Sequence, residues 1–185
     1  MKKSVIASIV ALGLVSGLAQ AAPTNEVQFH GSVTATTCDI EASVDGSLNP
    51  GGANRIELGD VAIGGTGKTV AFSFKPVQDQ QNLTACDAIA AGNKTPELTW
   101  TGVKFGSQGL GMLVGAAADA HVKITPVNDK GQNKTFINAT NTKHTFDANV
   151  LSSANGDGLK YSALLEAGQT PGDFQTAANF NLTYK

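Results

Sequence analysis

Apolar residues recur at alternate positions through most of the chain, which is the period of strands with one face in a core. Val27, Phe29, Gly31 and Val33 share one face. Further alternating runs are Ile56 to Ile63, Val70-Phe72-Phe74, Leu98-Trp100, Val122-Ile124, Leu159-Tyr161-Ala163-Leu165 and Ala178-Phe180-Leu182-Tyr184. Between them stand turn formers: Asn49-Pro50-Gly51-Gly52, Gly64-Gly65-Thr66-Gly67, Asn128-Asp129-Lys130-Gly131 and Asn155-Gly156-Asp157-Gly158. Short strands with this punctuation predict an all-β sandwich or barrel. Helix is expected only as short pieces, around 86–91 or 114–120.

The chain opens with Met1-Lys2-Lys3, an apolar run from Val5 to about Leu18, and Ala19-Gln20-Ala21. A charged start, a short apolar stretch and small residues at the −3 and −1 positions are the pattern of a secretory signal peptide cut after Ala21. A membrane anchor needs roughly 20 apolar residues, more than this run holds. Removing 21 of 185 residues leaves 164, the size of one domain with a real core. The cut also removes Lys2 and Lys3, so 11 bases face 15 acids and the net charge is −4. That balance argues against nucleic acid and anionic membrane as partners. In an oxidising compartment the two cysteines, Cys38 and Cys86, are expected to pair, closing a loop of 49 residues.

Signals for chemistry are weak. Gly64-Gly65-Thr66-Gly67-Lys68-Thr69 satisfies a loosened phosphate-loop pattern, but a true phosphate loop runs into a helix whose amides hold the phosphates. Here it runs into the alternating Val70-Ala71-Phe72-Ser73-Phe74, so a hairpin turn is the better reading. His30, His121 and His144 lie apart from one another and from the cysteines, which suggests no metal site; each is expected to be a solvated strand residue. Asp39 and Glu41, the closest acidic pair, read as surface charge. There is no Gly-x-Ser-x-Gly elbow. No catalytic residue, cofactor or metal is expected. The Asn-x-Ser/Thr matches at Asn82, Asn93, Asn133, Asn138 and Asn181 read as composition.

Two ends are unusual together. Near the start stands Val27-Gln28-Phe29-His30-Gly31-Ser32-Val33, with Cys38 five residues on; at the other end stands Ala178-Asn179-Phe180-Asn181-Leu182-Thr183-Tyr184-Lys185, with a penultimate tyrosine. With Cys86, the Leu58-Gly59-Asp60-Val61 segment, and Gly172 as the fourteenth residue from the end, this set resembles the pilin subunits of chaperone–usher fimbriae. The likeness spans the whole chain after the signal and is nearest the thin enteric adhesive fimbriae.

The resemblance implies an incomplete immunoglobulin-like sandwich lacking its last strand and completed by a donor strand from another chain. Residues 1–21 would be the signal peptide, 22–28 the donor-strand extension and 29–185 the pilin domain. It further implies the Cys38–Cys86 bridge, donor residues Pro23, Asn25 and Val27, and a chaperone and acceptor groove involving Gly172, Phe180, Leu182, Tyr184 and Lys185. A periplasmic chaperone would pair with the C-terminal strand and hold the carboxylate of Lys185. At an outer-membrane usher the next subunit's arm would replace it, giving a head-to-tail surface polymer that supports cell adhesion. Asn25 departs from the glycine that such arms usually carry. Two other readings remain. In one, the polymerised subunit itself binds a host carbohydrate through loops around 128–141 and 152–158. In the other, the chain is a small outer-membrane β-barrel, against which stand 11 aromatics, the cysteine pair and many short Gly-broken runs.

Overall fold

A computed structural model describes residues 37–44, 47–48, 54–131 and 134–185. The expected signal peptide, the arm residues Pro23, Asn25 and Val27, the Val27–Val33 strand, His30 and the Asn49–Gly52 turn lie outside the described residues.

The strands are β1 (Ile40–Val44), β2 (Ser47–Leu48), β3 (Val70–Pro76), β4 (Pro96–Thr101), β5 (Phe105–Gly106), β6 (Gly109–Gly111), β7 (Val114–Gly115), β8 (His121–Pro126), β9 (Lys143–Thr145), β10 (Leu159–Glu166), β11 (Phe174–Gln175) and β12 (Asn179–Tyr184). One helix, α1 (Gln80–Ala91), and a 3₁₀ turn at Ala148–Leu151 complete the described elements. Seven strands form one sheet in the order β2-β1-β3-β10-β8-β6-β5, three form another in the order β12-β4-β9, and β7 and β11 make a two-stranded ribbon. All the ladders are antiparallel. Among the described residues neither larger sheet closes on itself, which does not favour the barrel reading.

The alternation places the core. Phe72 and Phe74 on β3, Val122 and Ile124 on β8, and Leu159, Tyr161, Ala163 and Leu165 on β10 all turn inward from the large sheet. Leu98 and Trp100 on β4 and His144 on β9 face them from the small sheet. Tyr161 is the hub: its ring lies 5.7 Å from Phe72, 6.0 Å from Phe74, 5.5 Å from Trp100, 6.1 Å from His144 and 5.7 Å from Phe146. Aromatic pairs at these spacings contribute roughly 0.5–1.5 kcal/mol each beyond burial.

Helix α1 begins earlier than its apolar residues suggest because Asp79 caps it, accepting from the amides of Gln81 and Asn82. Asn82 then ties the helix back to the strand entry: its side chain accepts from the Asp39 amide and donates to the carbonyls of Asp39 and Val77. This places Cys86 against Cys38, and the two are joined with their Cα atoms 4.8 Å apart.

Three local expectations fail for identifiable reasons. The Ile56–Ile63 run is not a strand, because Gly59 adopts φ +73° and interrupts it, although Ile56, Leu58 and Val61 still pack against the core. No helix forms over 114–120; Gly115 sits at φ +131°, and the amides of Ala116 and Ala117 donate to the Asp173 carbonyl. His144 is buried, not solvated, and His121 is half-buried on Glu166 at 2.9 Å. The glycines of the phosphate-loop look-alike hydrogen-bond to the end of β10, through Gly64 to Gly168 and Gly67 to Leu165, and the chain continues into β3.

The disulfide closes most of the first half of the chain. Replacing both cysteines (Cys38→Ser with Cys86→Ser) is expected to cost about 4 kcal/mol by the chain-entropy account, read as a lower urea midpoint, with a slope no shallower because the freed unfolded chain exposes more surface. His144 supplies a pH test. Burial lowers its pKa from the usual imidazole value, with the charge of Asp129 opposing. The unfolded chain therefore binds a proton that the folded site refuses, so stability falls as pH drops below about 6.5 until the folded value is passed. A His144→Phe variant should lack this limb in denaturation curves taken between pH 7 and pH 5; an unchanged limb would assign it to another group.

Candidate functional site: an open strand edge over an apolar cleft

Strand β12 is at one edge of the small sheet. It pairs with β4 in the register Asn179↔Thr101 to Tyr184↔Pro96, and among the described residues no strand lies on its other side. Beyond the strand, Lys185 and Thr95 exchange both backbone hydrogen bonds, at 2.8 and 3.0 Å. Backbone direction alternates in such a ladder. Thr183, Asn181 and Asn179 therefore aim their amides and carbonyls at β4, while Tyr184, Leu182 and Phe180 aim theirs at the open edge. The side chains of these same three residues turn toward the core and are only half-buried. Backbone donors and acceptors and apolar side chains thus stand incomplete along one line.

Beneath the start of β12 lies an apolar cleft of about 190 Å³. One bank is formed by Thr176, Ala177, Ala178 and Phe180, and the other, among the described residues, by Ala42, Asn54, Ile56 and Leu58. Phe74, Trp100, Leu110 and Ile124 contribute to the floor. Phe180 reaches across it, with its ring 4.4 Å from Phe74 and 6.2 Å from Trp100. The polar lining residues are already engaged: Asn54 accepts from the Ala42 amide, and Thr176 donates to the Gly111 carbonyl. With such a lining the cleft can exclude water from an apolar side chain, and among the described residues it holds no carboxylate, imidazole, amine or thiol.

The far end of β12 is anchored. The Tyr184 hydroxyl donates to the Cys38 carbonyl at 3.0 Å, and burial pushes its pKa up to about 12, opposed by that hydrogen bond. The Lys185 ammonium lies 2.6 Å from Glu97, which also faces Lys143 at 3.2 Å. The Lys185 contact holds the Glu97 carboxyl below its ordinary value against the opposing effect of burial, with Lys143 adding to the depression.

Phe180, Leu182, Tyr184 and Lys185 thus stand together on one strand. Gly172 lies apart from the cleft lining: it adopts φ +142°, and a Cβ there would come 2.5 Å from that of Ala116, so it serves a tight crossing before β11. The donor residues Pro23, Asn25 and Val27 are outside the described residues. Sequence reasoning missed the cleft's other bank and Thr176 to Ala178. Alternation flags Phe74 and Trp100 as inward-facing, but only the strand order puts them under a vacant edge.

No family model matches the chain. It is 37% identical over 185 residues to the F107 fimbrial protein of Escherichia coli, covering 100% of both. The F7-2 fimbrial protein of E. coli is 33% identical over 202 residues, again with 100% of each covered. The Pap fimbrial major pilin protein of E. coli is 30% identical over 207 residues, with the same full coverage. Among solved structures, the P pilus rod subunit PapA aligns with 86% of this chain and 100% of its own, at 23% identity and a TM-score of 0.48. Full-length similarity to fimbrial proteins, with the two cysteines bonded, establishes that the chain belongs to the family of chaperone–usher fimbrial pilins.

Proposed function

We propose that this pilin is exported through the periplasm and polymerises on the cell surface by strand donation: residues 22–28 of one subunit enter the cleft of its neighbour and pair with the open edge of β12. The observation that supports this most directly is the coincidence of outward-facing backbone groups at Phe180, Leu182 and Tyr184 with an apolar cleft under the same strand. Strand addition uses both features: the ladder supplies generic affinity, and alternate side chains fill pockets. The lengths agree. At roughly 3.3 Å per residue, the seven residues 22–28 span about 23 Å, against about 20 Å for the six residues of β12.

Before assembly the same edge needs cover, because an exposed edge with apolar flanks aggregates. A periplasmic chaperone would fill that role by lending a strand to β12 and holding the terminal carboxylate of Lys185, and an outer-membrane usher would be the place where the arm replaces it. The product is a structural fibre that supports adhesion. No catalytic role is assigned.

The test uses the mature chain with and without residues 22–28, each co-expressed with a periplasmic chaperone. The truncated form should still be recovered with the chaperone but should give no fibres in electron micrographs of sheared material. Normal fibres from the truncated form would overturn the arm's assignment. In the full chain, Phe180→Asp places an uncompensated charge in the cleft; fibre yield should fall at least tenfold while the Cys38–Cys86 bond still forms.

A further inference from the structure

The small sheet has a second edge. Strand β12 is one, and β9 (Lys143–Thr145) is the other. The ladder between β9 and β4 fixes which groups of β9 face outward. The Trp100 amide donates to the Thr142 carbonyl, the Phe146 amide donates to the Pro96 carbonyl, and His144 stands opposite Leu98. Alternation then turns the amides and carbonyls of Lys143 and Thr145 away from β4.

At Thr145 both groups are taken. Its carbonyl accepts from the Lys130 amide at 2.7 Å, and its amide donates to the Asp129 carboxylate at 3.0 Å. Residues 129 and 130 thus make the two bonds that a neighbouring strand would make. Because a side chain supplies the acceptor, no ladder continues through it. Asp129 is only 7% exposed, and burying a carboxylate is costly unless it is hydrogen-bonded. Gly131 leaves it room, since a Cβ there would come 3.2 Å from the second carboxylate oxygen.

The excursion between β8 and β9 that carries Asp129 is itself pinned. The Asn128 side chain accepts from the Lys160 amide and donates to the Gly158 carbonyl. Further on, the Ile137 amide donates to the Ile124 carbonyl, and the Ala139 amide to the Gly106 carbonyl of β5, the last strand of the large sheet. The same use of a side-chain oxygen recurs on β1: its neighbour β2 reaches only Ser43 and Val44, and Asn54 accepts from the Ala42 amide just before them. On β12, among the described residues, no strand lies on the outer side.

We propose that Asp129 is a specificity-determining residue for assembly: with the Lys130 amide it closes the β9 edge, so that a second copy of this chain cannot add there and strand addition is confined to β12. An exposed edge is a template for another chain. Two bared β9 edges would meet as a self-complementary antiparallel pair and join fibres side by side. The shortness of β9 and its Lys143 guard the edge in the same sense. The inference rests on reading β12 as the acceptor edge and adds the reason that the opposite edge is not used.

The test compares fibres sheared from cells producing the full chain as wild type, Asp129→Ala, Asp129→Asn, or Asp129→Ala combined with Thr145→Pro. Asparagine keeps a side-chain oxygen for the Thr145 amide, whereas proline has no amide to offer a ladder. Hydrogen exchange at Thr145 is followed by mass spectrometry, and lateral association by electron microscopy and sedimentation. Exchange should rise about tenfold in Asp129→Ala, the effect of one lost hydrogen bond, and its fibres should pair or bundle. Asp129→Asn and the double variant should give single fibres. Unchanged exchange in Asp129→Ala would overturn the cap, and faster exchange with single fibres would overturn its role in specificity. Bundles that persist with Thr145→Pro would trace to a general loss of stability and overturn the proposal as well. Should Asp129→Ala give only insoluble material, recovery of single fibres with Thr145→Pro supports addition at β9, and failure to recover them overturns it. None of these readouts follows residues 22–28, so fibres that survive deletion of the arm would overturn strand donation by the arm and leave this result standing.

Discussion

Among the described residues, the backbone of β12 is paired on one side only. A strand buried between two neighbours spends its amides and carbonyls in both directions, and leaving one set unpaired beside an apolar surface is costly. In this chain the unpaired direction belongs to Phe180, Leu182 and Tyr184, whose side chains also point to the half-filled interior. The two deficits cannot be met separately. A small molecule could fill the cleft and leave the backbone exposed, and water could hydrate the backbone and leave the cleft apolar. An extended polypeptide meets both at once, which is the physical ground for proposing a strand as the ligand.

A fold with such an edge has to be stable enough elsewhere to wait for its partner. Two features supply that. The Tyr161 hub joins both sheets through rings from β3, β4, β9 and the segment after β9, and two of those rings, Phe74 and Trp100, carry it on to Phe180 under the open edge. The Cys38–Cys86 bond anchors α1 to the start of β1, and the Tyr184 hydroxyl fixes the end of β12 to the Cys38 carbonyl. Strand β12 is therefore pinned at its far end, and the cleft lies at its beginning. Such a site is preorganised for an extended ligand, which reduces the ordering cost of binding.

The sequence made much of this legible, and what stayed hidden is equally specific. Period-two alternation located β3, β4, β8, β10 and β12, because each has one face in the core and a register slip would reverse every side chain. It misjudged Ile56–Ile63, where the same alternation persists without a ladder because a single glycine at positive φ turns the chain out of register. It misjudged His144, since a ring on the inner face of a three-residue strand looks like any polar residue in an alternating run. Among the described residues neither ring nitrogen has a hydrogen-bond partner, and burial outweighs the opposing charge of Asp129. The cleft was least visible of all. Its banks come from residues near 42, 56, 177 and 180, brought together by strand order, which no local pattern encodes.

Under the strand donation proposed above, plug and socket would be carried on one chain, and that has a geometric consequence. The arm at 22–28 and the edge at 179–184 would be different surfaces, so contact between two copies would be heterologous, each junction leaving one free arm and one free edge. A self-complementary pairing would close as a dimer, whereas this one leaves a terminus to extend. Growth is then limited by the supply of covered subunits and not by symmetry. A single short arm with one branched aliphatic residue gives modest apolar burial, roughly 1.5–3 kcal/mol for a valine. The durability of a fibre therefore depends on the backbone ladder, which is indifferent to sequence, and on contacts between neighbouring bodies, which are not. Selectivity among related subunits has to reside in the second of these and in the shape of the cleft under Phe180.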